Sequence, residues 1–481
     1  MLRSLADQPY PLTLAQALRL GPAVRLALVG AGGKTSAMFL LGRELLSSVG
    51  ARSVQQRLAS RSVILTTTTH LSVEQCAQAD HHFILENEKS VAGIPAYMPD
   101  GLLLFTGTVS ADGRVGGLGV VGLAQLLRQT QAEGLPLLVE ADGARRLPLK
   151  APAAYEPALF PLEDTGVAWM DAVVVMAGLS GLDKPVSSAW VHRPEQFAVL
   201  AGLQPGEIIG ADALTRVLLH PQGGLKNIPD GVRKVIVLNQ ADTPALQARV
   251  GAIATRLLLG YDAVIVASLT VPETNIPSSS VAQVYAVHER IAGIVLAAGA
   301  SQRFGQPKQL LSWRGKALVR HVVETAITAG LDPVVVVGGE ATDQLRLILA
   351  DLPAQLVNNP EWEMGQSTSL RAGLMALPQA CGGAVFLLAD QPHIPTALVR
   401  TLVEVHAAGL APLVAPQAAG RRANPVLFDQ QTFPDLLALQ GDVGGRVIFS
   451  KYPVSWVPWH DASILLDVDT PEDFLKLQEL T

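Results

Sequence analysis

Two of this chain's lysines close small-residue loops far apart in the sequence. Lys34 follows three glycines in GAGGKTS, Gly30 to Ser36, and Lys308 ends LAAGASQRFGQPK, Leu296 to Lys308, in which Arg303 supplies a second cation. Each loop comes directly after an apolar run, Leu26 to Val29 and Ile291 to Val295. Small residues let backbone approach a ligand closely, and backbone N–H groups beside a cation suit phosphate oxygens. In the first loop, amides across Gly30, Gly32 and Gly33 would face phosphate, Lys34 would neutralise it, and Thr35 would ligate Mg2+ at a helix start. In the second, Leu296, Ala297, Ala298 and Gly299 would border a nucleotide, while Arg303 and Lys308 stabilise the charge that develops as a triphosphate loses pyrophosphate, with a magnesium ion assisting. That chemistry is nucleotidyl transfer.

The elements that must hold these loops are legible as apolar, β-branched runs separated by helix-like segments: Arg25 to Val29, Ser62 to Leu65, Pro136 to Val139, Asp171 to Val175, Lys234 to Leu238 and Ala263 to Val266. The alternation predicts an α/β fold with a parallel, doubly wound sheet. It lapses in LTVPETNIPSSSVAQ and restarts with Ile291 to Leu296, Pro333 to Val337, Ala384 to Leu388 and Leu413 to Ala415. The expected organisation is therefore a nucleotide-binding α/β domain over 1–268, a linker over 269–288 and a second, Rossmann-like α/β domain over 289–481. A formal net charge of -6 without runs of like charge argues against a nucleic-acid binder. No window approaches ~20 uninterrupted apolar residues, so no membrane span is expected. The two cysteines, Cys76 and Cys381, are far apart and in no metal-ligand pattern. A cytoplasmic enzyme acting on small molecules is the reading these features favour.

Two further stretches sit at predicted strand ends. LLVEADGA presents Glu140 and Asp142 as a pair for a metal or a positioned water, and VIVLNQAD ends in Asn239 and Asp242. The latter resembles the guanine-reading Asn-Lys-x-Asp of GTPases with Gln240 in place of lysine, and reads equally as a plain strand-end turn. GAGGKTS itself resembles a P-loop but is shorter than the Walker A spacing. A nucleotide, GTP or ATP, is the expected ligand of this P-loop-like half.

Beyond the LAAG loop, the second half carries NNPEWEMGQSTSLRAGL, LLADQPHI, NPVLF, LQGDVGGR and LDVDTPEDF in order. With the loop, these resemble the MobA-like nucleotidyltransferases and, within them, the MocA-type molybdenum cofactor cytidylyltransferases. The resemblance implies transfer of CMP from CTP to the molybdopterin cofactor with loss of pyrophosphate. It implies Asp390 and Asp469 as Mg2+ ligands, although Asp469 also reads as part of a helix start. Ser367 and Ser369 would bind ribose or phosphate at a helix N-terminus, capping being the plainer role for one of them. Ala298, where guanylyltransferases of this fold commonly show glycine, favours CTP over GTP. Ala423 and Asn424 depart from the Gly-His that many relatives carry. His393 reads as a polar loop residue.

In the first half, GAGGKT, TTTTH and VEADGARRLPLKAPAAYEP resemble the YqeC-type family, accessory proteins of selenium-dependent molybdenum hydroxylases, over about the first 265 residues. In that stretch Arg145, Arg146 and Lys150 would grip an anionic ligand or form a solvated loop, and Thr66 to Thr69 would form a strand edge with His70 buried. Together the two resemblances imply a cytidylyltransferase fused to an accessory domain that serves a client molybdenum hydroxylase. The rivals are a guanylyltransferase or other nucleotidyltransferase of the same fold, and a cofactor-insertion chaperone without catalysis.

Overall fold

The computed structural model describes residues 12–47, 61–85, 94–95, 97–111, 113–159, 168–270, 281–299, 304 and 306–480. The chain divides into two compact units, Met1–His288 and Glu289–Thr481.

In unit 1 the main strands are β1 (Arg25–Gly30), β2 (Ser62–Thr67), β3 (His81–Ile84), β4 (Gly101–Thr106), β5 (Leu137–Glu140), β6 (Ala172–Gly178), β7 (Arg233–Asn239) and β8 (Ala263–Thr270). They lie in the order β8-β7-β6-β1-β5-β2-β4-β3, and every neighbouring pair is parallel. Strands β2 and β6 are buried at every position, the reason both read as unbroken apolar runs rather than as alternation. The helices α1 (Lys34–Ser47), α2 (Val120–Glu133), α3 (Pro194–Ala201) and α4 (Pro244–Leu257) complete the layers. Strands β2 to β5 lie on one side of β1 and β6 to β8 on the other. The carboxyl end of β1 is thus a point where the winding changes side, a position at which open α/β sheets take ligands.

The segments HHFI and GLLLFT, which form β3 and β4, add two strands to the series predicted from the sequence. Thr66 and Thr67 stand in an internal strand between β5 and β4 rather than at an edge. His70 is exposed, not buried. Both cysteines are free and buried.

Strand β9 (Val281–Ala297) carries the chain from unit 1 into unit 2. The expected linker over 269–288 is therefore narrower: β8 extends to Thr270, β9 begins at Val281, and 271–280 lie outside the described residues.

Unit 2 adds β10 (Val334–Gly338), β11 (Gln355–Asn358), β12 (Cys381–Leu388), β13 (Leu413–Ala418), β14 (Val426–Asp429) and β15 (Val454–Pro458), with helices α5 (Leu318–Thr328), α6 (Gln366–Met375), α7 (Thr396–Gly409) and α8 (Pro471–Glu479). The strand order is β11-β10-β9-β12-β14-β13-β15. Pairs are parallel from β11 to β12, whereas β14 runs antiparallel to both β12 and β13. The sheet is mixed, not wholly parallel as the sequence suggested. Val295 and Val336 belong to one core cluster, and Ile294, Val335 and Val337 to another. This is the two-residue period of strands buried on both faces.

Candidate functional site

In unit 2, β9 and β12 end side by side, with Leu296 paired to Leu388 and the Ala389 amide donating to the Leu296 carbonyl at 3.1 Å. The LAAG and ADQP segments therefore leave the sheet at one place. Gln309 Nε2 donates to the Ala297 carbonyl at 3.1 Å, which brings Gln309 against that strand end. There Lys308 Nζ donates to Asp390 Oδ2 at 2.6 Å and to Asp469 Oδ1 at 2.7 Å. Burial pulls the Lys308 ammonium down, but the Asp390 and Asp469 carboxylates outweigh it and hold the group above its ordinary value.

Three residues predicted far apart in sequence thus meet. A fourth, Asp467, lies with them. Burial and the Asp390 charge push its carboxyl up, against a hydrogen bond from Gln391. The alternating aspartates of LDVDT were the signal for it.

Asp390 Oδ1 is buried and, among the described residues, has no hydrogen-bond partner. Among the described residues no group of three or more His, Cys, Asp or Glu side chains is placed to hold a metal. Magnesium needs no such group: one or two carboxylates serve, with substrate phosphates and waters completing the shell. The unpartnered Asp390 oxygen and the oxygen-only donors of Asp390 and Asp469 fit that ion.

Ala297 and Ala298 are buried, and a Cβ built on Gly299 would meet nothing within 4 Å. Arg303 lies outside the described residues.

The serines of α6 differ from expectation. Ser367 Oγ donates to the Gly441 carbonyl at 2.7 Å, and Ser369 Oγ accepts from Asn359 Nδ2 at 3.0 Å. Neither caps the helix, whose N-cap is Gly365. The Asp442 carboxylate accepts from the Gln366 amide at 3.1 Å, so a protein carboxylate already sits at this helix start. Asp469 does not cap α8 either; Thr470 does, in a capping box with Asp473. Asp469 is left to Lys308. His393 Nε2 meets the Ser463 carbonyl at 3.0 Å.

In unit 1 the glycine loop crosses the end of β1. Gly30, Gly32 and Gly33 take φ of 93°, 81° and 117°, and a Cβ on Gly32 would lie 2.5 Å from the Gly178 nitrogen. The expected row of phosphate-facing amides is shorter than predicted. Gly30 N donates to both Asp142 oxygens at 3.1 Å, Ala31 N to the Met176 carbonyl at 2.9 Å and Gly32 N to the Leu147 carbonyl at 3.0 Å. The expectation narrows to Gly33 and the first turn of α1, whose amides have no partner within the helix.

Lys34 Nζ donates to the Gly30 carbonyl at 2.6 Å and lies 3.2 Å from Asp142 and 3.8 Å from Glu140. Thr35 Oγ1 donates to Glu140 Oε2 at 2.8 Å. Burial raises the Glu140 carboxyl, countered by Lys34. Lys150 is buried and bridges Asp142 at 2.7 Å and Glu156 at 3.0 Å, so it holds the protein rather than a ligand. Asn239 Nδ2 donates to the Gly32 carbonyl at 2.7 Å, and its Oδ1 accepts from the Leu269 amide at 2.9 Å. Both polar ends of Asn239 thus tie the loop to the ends of β7 and β8. Asp242 is exposed and accepts from Ser268, apart from Asn239 in its bonding.

Gly32, Gly33, Lys34, Thr35 and Glu140 border a cleft of about 1250 Å³, which Arg145 and Arg146 also line.

Comparison with known proteins agrees with this division. A family model for YqeC protein matches residues 26–195, and one for the MobA-like NTP transferase domain matches 293–456. The chain is 32% identical over 245 residues to the uncharacterized protein YqeC of Escherichia coli (strain K12), covering 50% of this chain and 84% of that protein. It is 33% identical over 198 residues to nicotine blue oxidoreductase of Paenarthrobacter nicotinovorans, covering 39% and 96%. It is 24% identical over 187 residues to molybdenum cofactor cytidylyltransferase of Escherichia coli (strain K12), covering 39% and 94%.

Proposed function

This chain belongs to the YqeC family in its first half and to the MobA-like NTP transferases in its second, and from that premise we infer that unit 2 is a molybdenum cofactor cytidylyltransferase. The observation that carries the reading is Lys308 held between Asp390 and Asp469 beside the LAAG loop. In the reaction, an oxygen of the molybdopterin cofactor's terminal phosphate attacks the α-phosphorus of CTP. The bond from that phosphorus to its bridging oxygen breaks, and pyrophosphate leaves with the electron pair.

The attacking oxygen is an anion near neutral pH, so no general base is needed. The chain's own task is alignment and charge neutralisation. Lys308, kept charged by its carboxylates, and Arg303 supply fixed positive charge; Asp390 and Asp469 would hold Mg2+. That ion, when bound, supplies Lewis-acid stabilisation of the triphosphate. Leu296, Ala297, Ala298 and Gly299 border the nucleotide, and Ala298 favours CTP over GTP. The hydroxyls of Ser367 and Ser369 shape the wall beside it through their bonds to Gly441 and Asn359.

Unit 1 binds a nucleotide, GTP or ATP, at Gly33, Lys34 and Thr35, with Glu140 and Asp142 behind them. The chain as a whole delivers the finished cofactor to a client molybdenum hydroxylase, one chain keeping a labile product local. No helix among the described residues is long and apolar enough to cross a membrane.

The greater identity to nicotine blue oxidoreductase favours a second reading, in which unit 2 keeps the fold for a different substrate. Pyrophosphate release by the full chain with Mg2+ and molybdopterin cofactor, offered CTP, GTP, ATP or UTP, separates the two. CTP alone should support release; release with GTP would make it a guanylyltransferase, and silence with all four would favour the second reading or a binding role without catalysis.

A further inference from the structure

We propose that Arg145 and Arg146 form a phosphate-binding site in the unit 1 cleft, beside the glycine loop and separate from the first turn of α1. The cleft has room for it, since about 1250 Å³ exceeds the roughly 300–1,000 Å³ of a typical small-molecule pocket. Its lining is mostly polar. Arg114, Ser72, Gln75, Ser188, His192 and Gln240 share it with the two arginines.

Two other cations of the cleft are already matched. Lys34 faces Asp142 and Glu140, and Arg193 Nη1 lies 2.8 Å from Glu156. Among the described residues neither Arg145 nor Arg146 makes an ion pair or a side-chain hydrogen bond. Both are exposed, and Arg146 acts weakly on the charge of Glu74. The cleft sets Lys34, Arg114, Arg145, Arg146 and Arg193 against Glu140; such an excess of positive charge concentrates anions, and guanidinium groups match phosphate oxygens two at a time.

The backbone supports the same assignment. Arg145 and Arg146 take φ of 50° and 60° in succession, the left-handed region that disfavours residues other than glycine. A solvated turn would be served better by glycine at both places. The turn is fastened to the glycine loop, because Gly32 N donates to the Leu147 carbonyl and Leu147 N to the Ala144 carbonyl, each at 3.0 Å. Burial, then the charges of Arg193, Lys150 and Arg145, pull the His192 imidazole down to about 4. At neutral pH that imidazole is uncharged and adds a hydrogen-bonding group to the cleft.

The phosphate is either the terminal phosphate of a nucleotide reaching from the glycine loop or that of a separate phosphomonoester, and the site stands whether or not a nucleotide occupies α1. The test uses the full chain carrying Lys308→Ala, to silence the cationic site of unit 2, and measures calorimetric binding of inorganic phosphate, ADP, ATP, GDP and GTP. Arg145→Gln/Arg146→Gln should weaken either inorganic phosphate, marking a separate ligand, or the triphosphates but not the diphosphates, marking the nucleotide's own phosphate. The loss should be about tenfold or more and shrink as salt rises. Arg145→Gly/Arg146→Gly, which relieves the backbone, should lose the same binding with melting temperature kept. Failure of all nucleotides to bind, with arginine-dependent phosphate binding intact, would remove the nucleotide reading of unit 1 and leave this site standing. Unchanged phosphate and triphosphate binding in both double variants, or no binding of either by the parent chain, would overturn it.

Discussion

Lys34 and Lys308 occupy comparable places, each after a small-residue loop at the end of a parallel strand and each between two carboxylates, yet their surroundings differ. The Lys34 side chain is 3% exposed and its partner Asp142 2%. Asp142 in turn meets Lys150, and Lys150 and Arg193 both meet Glu156. At the other site Lys308 is 17% exposed and Asp469 54%. One lysine is locked into a buried network that fixes a loop, and the other is less buried, beside a carboxylate oxygen that has no partner among the described residues. The same sequence signature therefore marks two physical situations, and the density of buried counter-charges behind each lysine separates them.

The sharpest way to break this comparison is to remove each lysine in turn. Lys308→Ala and Asp390→Asn should each lower the rate of pyrophosphate release by about 10²–10³-fold or more with the melting temperature little changed. Lys34→Ala should leave that rate intact and lower the melting temperature instead. Loss of transfer in Lys34→Ala would mean that the two units are coupled, and the contrast drawn here would fail.

The buried network is the next target. Lys150→Met leaves Glu156 and one side of Asp142 without their buried cation. It should cost about 3–5 kcal/mol of unit 1 stability, the scale for breaking a buried pair from one side, measured by denaturant unfolding. A cost under about 1 kcal/mol would show that the network is solvated and that Lys150 is available to a ligand after all.

These expectations mark where the sequence was readable. Lys308, Asp390 and Asp469 were legible because each sits in a short segment with its own residue pattern, and parallel strands bring such segments to one edge. The apolar runs of β1, β2, β5, β6, β7 and β8 were legible for the related reason that strands buried on both faces carry no alternation. Strand β3 was not: HHFI has two polar residues and is exposed or half-buried throughout. Antiparallel β14 follows a turn that local pattern does not place. Lys150 was misjudged because a lysine looks like a surface residue until the fold brings Asp142 and Glu156 around it. The amides of Gly30 and Gly32 failed for the same reason, their acceptors Asp142 and Leu147 lying more than a hundred residues away. What depends on long-range partners is invisible in spacing.

The two glycine loops differ in what a methyl group would do. Gly32→Ala forces a Cβ to within 2.5 Å of the Gly178 nitrogen at a φ of 81°, and should cost unit 1 about 1–3 kcal/mol. Gly299→Ala meets nothing within 4 Å among the described residues and should leave stability within about 0.5 kcal/mol, while raising the KM for the nucleoside triphosphate. An unchanged KM would remove the ligand as the reason for glycine there.

The smallest expected effect concerns pH. Burial, then the charges of Arg193, Lys150 and Arg145, bring His192 down to about 4, whereas in the unfolded chain it protonates near about 6.5. Between those values the unfolded state binds the extra proton, so the neutral imidazole's contribution is full above about 6.5 and is lost as pH falls toward 4. His192→Gln should flatten that part of the stability profile, read as melting temperature against pH beside the parent chain. Arg145→Gln should move the His192 titration upward in an NMR experiment, because it removes one of the cations that oppose protonation. If the titration stays near 4 in Arg145→Gln, the arginine does not face that side of the cleft, and the unit 1 site reduces to Arg146 and the glycine loop.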